Sequence, residues 1–314
     1  MTLILTHVTP DYVMQVTDRL VSQGSRSYDP ESNKNVIFFT RNALVSIGYS
    51  GLSYLSGIPT DQWIVETLIG EKLPGRGSPM IGDSTRRRLP SIGQAVQLLA
   101  DRLSTEWAKV RPEWRGHRIQ LAISGWLGYR RKRPRPIFCK ISPSGATSHS
   151  VKWHTHHSFG TELLDDTPEG YLRRQEGQEL VTSLGTSEMP DVEAALIRTI
   201  RMVAARNPRV GPDCMAITIS PPRFQNVIVN YVPVQPRKAV TRTLRGQEVE
   251  IPVAGTPFMV SPGGIWAPNV MSAHSTPTTR SFGGWIVRFP GATQPNDGPI
   301  AMALWGQERK PPPR

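Results

Sequence analysis

The chain has 314 residues, a net charge of +12 and 38% hydrophobic residues, enough apolar content to bury a core in one large domain or two modest ones. No apolar run approaches the roughly 20 residues of a membrane-spanning helix, and the N-terminus lacks the basic, apolar and small-residue order of a secretory leader. Cys139 and Cys214 are the only cysteines and make neither a disulfide framework nor a zinc knuckle, so the expected compartment is the cytoplasm.

Thr2–Val8 reads as a strand, Thr9-Pro10-Asp11 as turn chemistry and Tyr12–Thr17 as a second strand, so the chain should open with a hairpin. Residues 22–33 are polar and predict a loop. Val36–Thr40 and Ala43–Ile47 are two further short apolar runs split by Arg41-Asn42. Helices should follow. Thr60-Asp61 can cap Gln62–Ile69, and Ser91 precedes Ile92–Val110, whose Val96, Leu99, Leu103 and Trp107 fall on one helical face.

Strands resume at Ile119–Ser124 and Ile137–Ile141. Met189-Pro190-Asp191 starts a third helix, Val192–Ala205, and Cys214–Ile219 and Asn226–Tyr231 are again strand-like. From residue 232 to 314 Pro and Gly rise, helical patterns vanish, and only short runs such as Gly284–Phe289 suggest strands. The expected organisation is one domain over 1–231 and a Pro/Gly-rich extension over 232–314. That extension would pack on the domain or at an interface, and its Lys310–Arg314 tail should be disordered.

This order departs from the strict alternation of a doubly wound α/β fold. It predicts an α+β protein in which two mainly antiparallel sheets pack face to face between helices.

Much of the positive charge lies in Arg86-Arg87-Arg88 and in the run Tyr129–Pro136. Neither cluster interleaves aromatic residues at stacking intervals or matches a binding motif, so solvated loops are expected, the second at a hairpin tip. No nucleic-acid partner is expected, although a basic polyanion-binding protein stands as an alternative reading. His154, His156 and His157 lie beside Trp153, and Asp165-Asp166 falls in a Gly/Pro-containing stretch read as a loop. No second ligand cluster accompanies them, so no metal is expected. No cofactor is expected either, because the chain has no P-loop, dinucleotide fingerprint or serine elbow.

Chemistry is suggested most strongly near the start. Thr2 follows Met1, and Asp18, Lys34 and Gly48 lie sixteen, thirty-two and forty-six positions after it. Removal of Met1 would leave a hydroxyl and a free amine on one residue, and such an amine can activate its own hydroxyl. Its ordinary pKa of about 7.7–8.0 suits neutral pH.

These intervals, with the rhythm from Leu3-Ile4-Leu5 through Asp18-Arg19 and Asn33-Lys34 to Ile47-Gly48-Tyr49-Ser50-Gly51, resemble the start of proteasome β-type subunits and the related peptidase subunit HslV. The resemblance covers residues 2–51 closely and reaches more weakly to about residue 231. It implies a four-layer αββα sandwich, an N-terminal-threonine hydrolase of peptide bonds, a homo-oligomeric ring, and an ATP-dependent unfoldase as a further partner. It also assigns roles. Thr2 would be the nucleophile, with its own amine as base. Lys34 would hold positive charge beside that amine, Asp18 would hold Lys34, and the Gly48 N–H would face the oxyanion. Arg19 and Ser158 are further candidates for support, the latter within His157-Ser158-Phe159-Gly160.

The sequence departs from that family at Asn207-Pro208-Arg209-Val210-Gly211. There Asn207 and Val210 stand where an aspartate and a serine would support the amine, and Asp213 would substitute only with a shifted loop register. A non-catalytic assembly or binding protein on the same fold is therefore an alternative, and a small-molecule amidase is a variant of the first reading.

Overall fold

A computed structural model describes residues 2–23, 26–29, 32–73, 89–110, 119–128, 133–144, 148–154, 160–165, 184, 188–221, 227–232, 234, 239–244, 247–255, 257–261, 264–266, 270–272 and 285–288. The chain opens with strands β1 (Leu3–Val8) and β2 (Val13–Asp18), the short pair β3 (Val21–Gln23) and β4 (Arg26–Asp29), then β5 (Asn35–Phe39) and β6 (Ala43–Ser50). The pair β7 (Tyr54–Leu55) and β8 (Ile58–Pro59) leads into helices α1 (Thr60–Ile69) and α2 (Ile92–Lys109).

Next come β9 (Gln120–Leu127), β10 (Arg135–Pro143), β11 (His149–His154) and β12 (Gly160–Asp165), then helix α3 (Met189–Arg206). Strands β13 (Cys214–Ile219), β14 (Val227–Val232), β15 (Ala239–Leu244), β16 (Gln247–Gly255), β17 (Phe258–Ser261), β18 (Gly264–Trp266), β19 (Val270–Ser272) and β20 (Trp285–Arg288) complete the described chain. The result is a mixed α+β protein.

Two large sheets dominate. One runs β12-β1-β2-β13-β14-β20 and the other β11-β10-β9-β6-β5-β17-β18. All neighbours are antiparallel except β14 with β20 and β5 with β17. A smaller sheet, β15-β16-β19, lies within the later segment. Three strands of that segment thus extend the large sheets: β17 and β18 one of them, β20 the other.

Each large sheet buries one apolar face against helices. Val36, Phe38, Val45, Ile47, Leu121 and Ile123 cluster with Trp63 and Ile64 of α1 and with Val96, Leu99, Leu103 and Trp107 of α2. The predicted face of α2 is therefore the buried one, and each such side chain contributes about 1.5–3 kcal/mol. The start of α2 is fixed by a capping box, in which Ser91 and Gln94 each bond the other's backbone N–H. On the other sheet, Leu3, Leu5, Met14, Val16 and Ala216 cluster with Leu196, Ile200 and Val203 of α3.

The opposite faces meet, β1 and β2 lying over β6 and β9. This meeting surface is polar in part. Gln15 Nε2 reaches Thr6 Oγ1 at 3.3 Å, the Ala122 carbonyl at 3.2 Å and Ser124 Oγ at 3.4 Å. Its Oε1 accepts from Asn35 Nδ2 at 3.2 Å and from Ser46 Oγ at 2.8 Å. Trp126 Nε1 of β9 donates to the Ile219 carbonyl of β13 at 2.8 Å, tying one sheet to the other.

Three sequence expectations need correction. Residues 21–29 include the paired strands β3 and β4 rather than only loop. Asp165 ends β12, opposite Leu3, because an edge strand on β1 satisfies the outer ladder of that strand. Thr60 and Asp61 sit inside α1, whose N-cap is Pro59 with no side-chain cap. Thr60 Oγ1 instead donates to the Leu52 carbonyl at 2.7 Å. Asp166 and the Lys310–Arg314 tail lie outside the described residues, as do Arg86–Arg88 and residues 129–132. Among the described residues no helix is long and apolar enough to cross a membrane.

Trp126→Phe should keep a buried aromatic ring but leave a small void and the buried Ile219 carbonyl without its donor. The expected loss is about 1–3 kcal/mol, read by urea denaturation, with an unchanged slope.

Candidate functional site

Strand β1 begins one residue after Thr2, which is 4% exposed. Beside it β2 ends at Asp18, because the antiparallel register Ile4↔Thr17 brings the start of one strand against the end of the other. Asp18 is fully buried and accepts four hydrogen bonds. Its Oδ1 takes the Leu3 N–H at 2.9 Å. Its Oδ2 takes Lys34 Nζ at 2.9 Å, the Gly211 N–H at 3.0 Å and the Leu20 N–H at 3.2 Å. A buried ammonium needs such a partner, since an isolated buried charge costs several kcal/mol.

Lys34 is itself held from both sides. Its carbonyl accepts the Tyr49 N–H at 3.0 Å, and the Tyr49 hydroxyl donates to the Asn33 carbonyl, also at 3.0 Å. Arg19 is almost wholly buried and clasps the preceding residues: Nε reaches the Ser32 carbonyl at 3.3 Å and Nη2 reaches Asn33 Oδ1 at 3.2 Å. The Arg19 N–H donates to the Asp213 carbonyl at 3.0 Å. Four parts of the sequence thus converge: the Leu3 peptide, the Asp18-Arg19 pair, Lys34 and the turn after α3.

Gly48 lies on β6, paired with Asn35 on one side and Ala122 on the other. A Cβ there would meet Gln15 Oε1 at 2.9 Å and Ile4 Cδ1 at 3.2 Å. Glycine at this position therefore has a packing reason, set by the amide network between the sheets.

The turn after α3 differs from what a side-chain support layer needs. Asn207 Oδ1 accepts the Arg209 N–H at 3.0 Å, and Val210 is buried in the apolar cluster with α3. Asp213 Oδ1 accepts the Val234 N–H at 2.8 Å, so its carboxylate serves the end of the segment after β14. Ser158 lies outside the described residues, as do His156 and His157, while His154 ends β11. Among the described residues no three potential metal ligands converge.

The two thiols offer no rival nucleophile. Burial pushes Cys139 up to about 12. Burial, reinforced by the negative charge of Asp18, pushes Cys214 up as well. Both are therefore protonated at neutral pH.

Sequence reasoning missed Gln15, Asn35, Tyr49 and Gly211. A signal existed for the first two: an amide inside an otherwise apolar central strand must find buried partners. Gly211 acts through its backbone N–H, which side-chain identity does not announce.

No protein-family model matches the sequence, and no curated protein matches it significantly. Solved structures do resemble the fold. Anbu from Hyphomicrobium sp. strain MC1, in a Gly-1 mutant form, superposes with a TM-score of 0.52 at 12% identity, over 75% of this chain and 88% of that one. A second Anbu structure from the same strain gives 0.50 at 11% identity, over 74% and 88%. HslV from Trypanosoma brucei gives 0.40 at 16% identity, over 69% and 99%. The likeness to Anbu concerns the fold alone, which is proteasome-like.

Asp18→Asn should strand the Lys34 ammonium and cost about 3–5 kcal/mol in urea denaturation. Lys34→Met should cost distinctly less, because three backbone N–H groups still hold the carboxylate. Equal losses from the two substitutions would contradict this order.

Proposed function

We propose that the chain is an N-terminal-threonine amide-bond hydrolase built on a four-layer αββα sandwich, with peptides as substrates and a homo-oligomer as its working form. The observation that carries this reading is the Asp18 carboxylate, which holds Lys34 Nζ and the peptide N–H that follows Thr2 at 2.9 Å each. A cation fixed beside the nucleophile's own backbone is what a self-activating threonine requires.

The steps follow from that arrangement. Met1 is removed and Thr2 gains a free α-amine. That amine takes the hydroxyl proton as Thr2 Oγ1 bonds to the substrate carbonyl carbon, and the carbonyl oxygen becomes an oxyanion. Lys34 holds a fixed positive charge beside the amine and keeps its proton affinity down. The amine then hands its proton to the leaving nitrogen, the C–N bond breaks, and an ester on Thr2 remains. A water molecule, deprotonated by the same amine, cleaves the ester and restores the hydroxyl.

One observation favours a second reading, a non-catalytic protein on the same fold. The Asn207 side chain is engaged within its own turn and Val210 in the apolar core, so side-chain support of the amine is altered.

Intact mass before and after treatment with a β-lactone separates the two readings. The hydrolase reading expects loss of one methionine and one stoichiometric adduct, absent in Thr2→Ala. Retained Met1 would exclude the free-amine mechanism. Methionine loss with no adduct would favour the non-catalytic protein.

A further inference from the structure

Asn207 stands where an amine-supporting aspartate was expected, and the structure gives it different work. Its N–H closes α3 on the Val203 carbonyl at 2.8 Å, and its own carbonyl accepts the Val210 N–H at 3.0 Å. Its side-chain Oδ1 accepts the Arg209 N–H at 3.0 Å, forming an Asx turn. The chain therefore reverses tightly after α3. Val210 drops into the apolar cluster, and the next residue, Gly211, delivers its N–H to Asp18 Oδ2.

The approach at Gly211 is very close. A Cβ on residue 211 would lie 2.6 Å from Leu20 Cβ and 2.9 Å from Leu20 N. Leu20 N–H is itself a donor to the same carboxylate oxygen. The turn and the end of β2 thus interlock around one oxygen, the oxygen that also binds Lys34 Nζ. Of the four donors on Asp18, three come from residues 3, 20 and 34, and Gly211 alone comes from the far end of the fold. A small displacement of the turn would break that bond while leaving the strands in place.

We propose that Asn207 is a positioning residue for the Asp18–Lys34 pair: it shapes the turn that carries the Gly211 N–H onto Asp18. The proposal rests on the hydrolase reading of the site. It replaces side-chain support of the amine with backbone support of the carboxylate one step further back. Asn207 acts through Gly211 and Asp18 and touches no reacting atom.

The test uses the full-length protein as wild type, Asn207→Ala and Asn207→Ser. Serine keeps a short oxygen that can close a similar turn more weakly, and it adds no charge. Two quantities are measured: amide hydrogen exchange at Gly211, with Ile217 in β13 as a core reference, and the rate of Thr2 acylation by a β-lactone. Asn207→Ala should speed Gly211 exchange, leave Ile217 unchanged and slow acylation about tenfold, the scale of one lost charge-assisted hydrogen bond. Asn207→Ser should recover part of both effects.

Unchanged Gly211 exchange in Asn207→Ala would overturn the proposal, and so would faster exchange with unchanged acylation. A wild type that forms no adduct, while Gly211 exchange still follows residue 207, would sink the hydrolase reading alone and support the coupling of Asn207 to Asp18.

Discussion

A carboxylate with no exposure to solvent and four donors around it is the constraint on which the rest of this structure turns. The interior can hold the Asp18 carboxylate because Lys34 and three peptide N–H groups meet it. Each donor fixes a different piece of chain. Leu3 fixes the start of β1, Leu20 the exit from β2, Lys34 the approach to β5, and Gly211 the turn between α3 and β13. The buried charge specifies geometry more than it adds stability, because the desolvation of both ions offsets much of their attraction. A purely apolar core could match its energy, but would not place an ammonium beside the first residues of the chain.

The surface where the sheets meet adds a second layer of specification. Gln15 uses both ends of its amide to reach five partners across β1, β5, β6 and β9. Such a network is satisfied in one register only, since a one-residue slip of β2 would turn Gln15 toward α3. Gly48 lies against this amide, so the network also fixes where the β6 backbone stands relative to β1. Trp126 makes the same kind of tie at its bond to Ile219. Packing of the sheets and placement of the site are therefore one problem with one solution.

The parts of this arrangement that were legible in the sequence are those written in side chains at regular periods. The face of α2 could be read because Val96, Leu99, Leu103 and Trp107 repeat at helical spacing. The first two strands could be read because apolar residues bracket a Pro-Asp turn. Asp18 and Lys34 drew notice through their intervals after Thr2, which match those of the resembling family. Strands β3, β4, β11 and β12 were not legible, because their residues are polar and they pair at edges or in short ribbons, where burial imposes no alternation. Strand β20 falls within the strand-like run Gly284–Phe289, but its partner, like strand β17 and its partner, could not be read. Strands β17 and β20 pair in parallel with β5 and β14, across more than two hundred and more than fifty residues of sequence respectively, and such pairing leaves no local trace.

The turn after α3 shows why residue-by-residue transfer from a resembling family can mislead at one layer and hold at the next. By side-chain identity, Asn207 and Val210 look like lost functions. In three dimensions the asparagine closes its own turn, the valine anchors it in the core, and the glycine that follows bonds Asp18. What the backbone of that turn supplies is an N–H, and any sequence that keeps the turn and the glycine supplies it equally. The physical requirement at this corner is thus a conformation rather than a chemical group. Arg19 makes the same point from the other side. Its guanidinium grips Ser32 and Asn33 while its own N–H holds the Asp213 carbonyl, so one residue joins the approach to Lys34 with the exit from the turn. Lys34 and Gly211 reach one oxygen of Asp18 along two stretches of chain that Arg19 braces together.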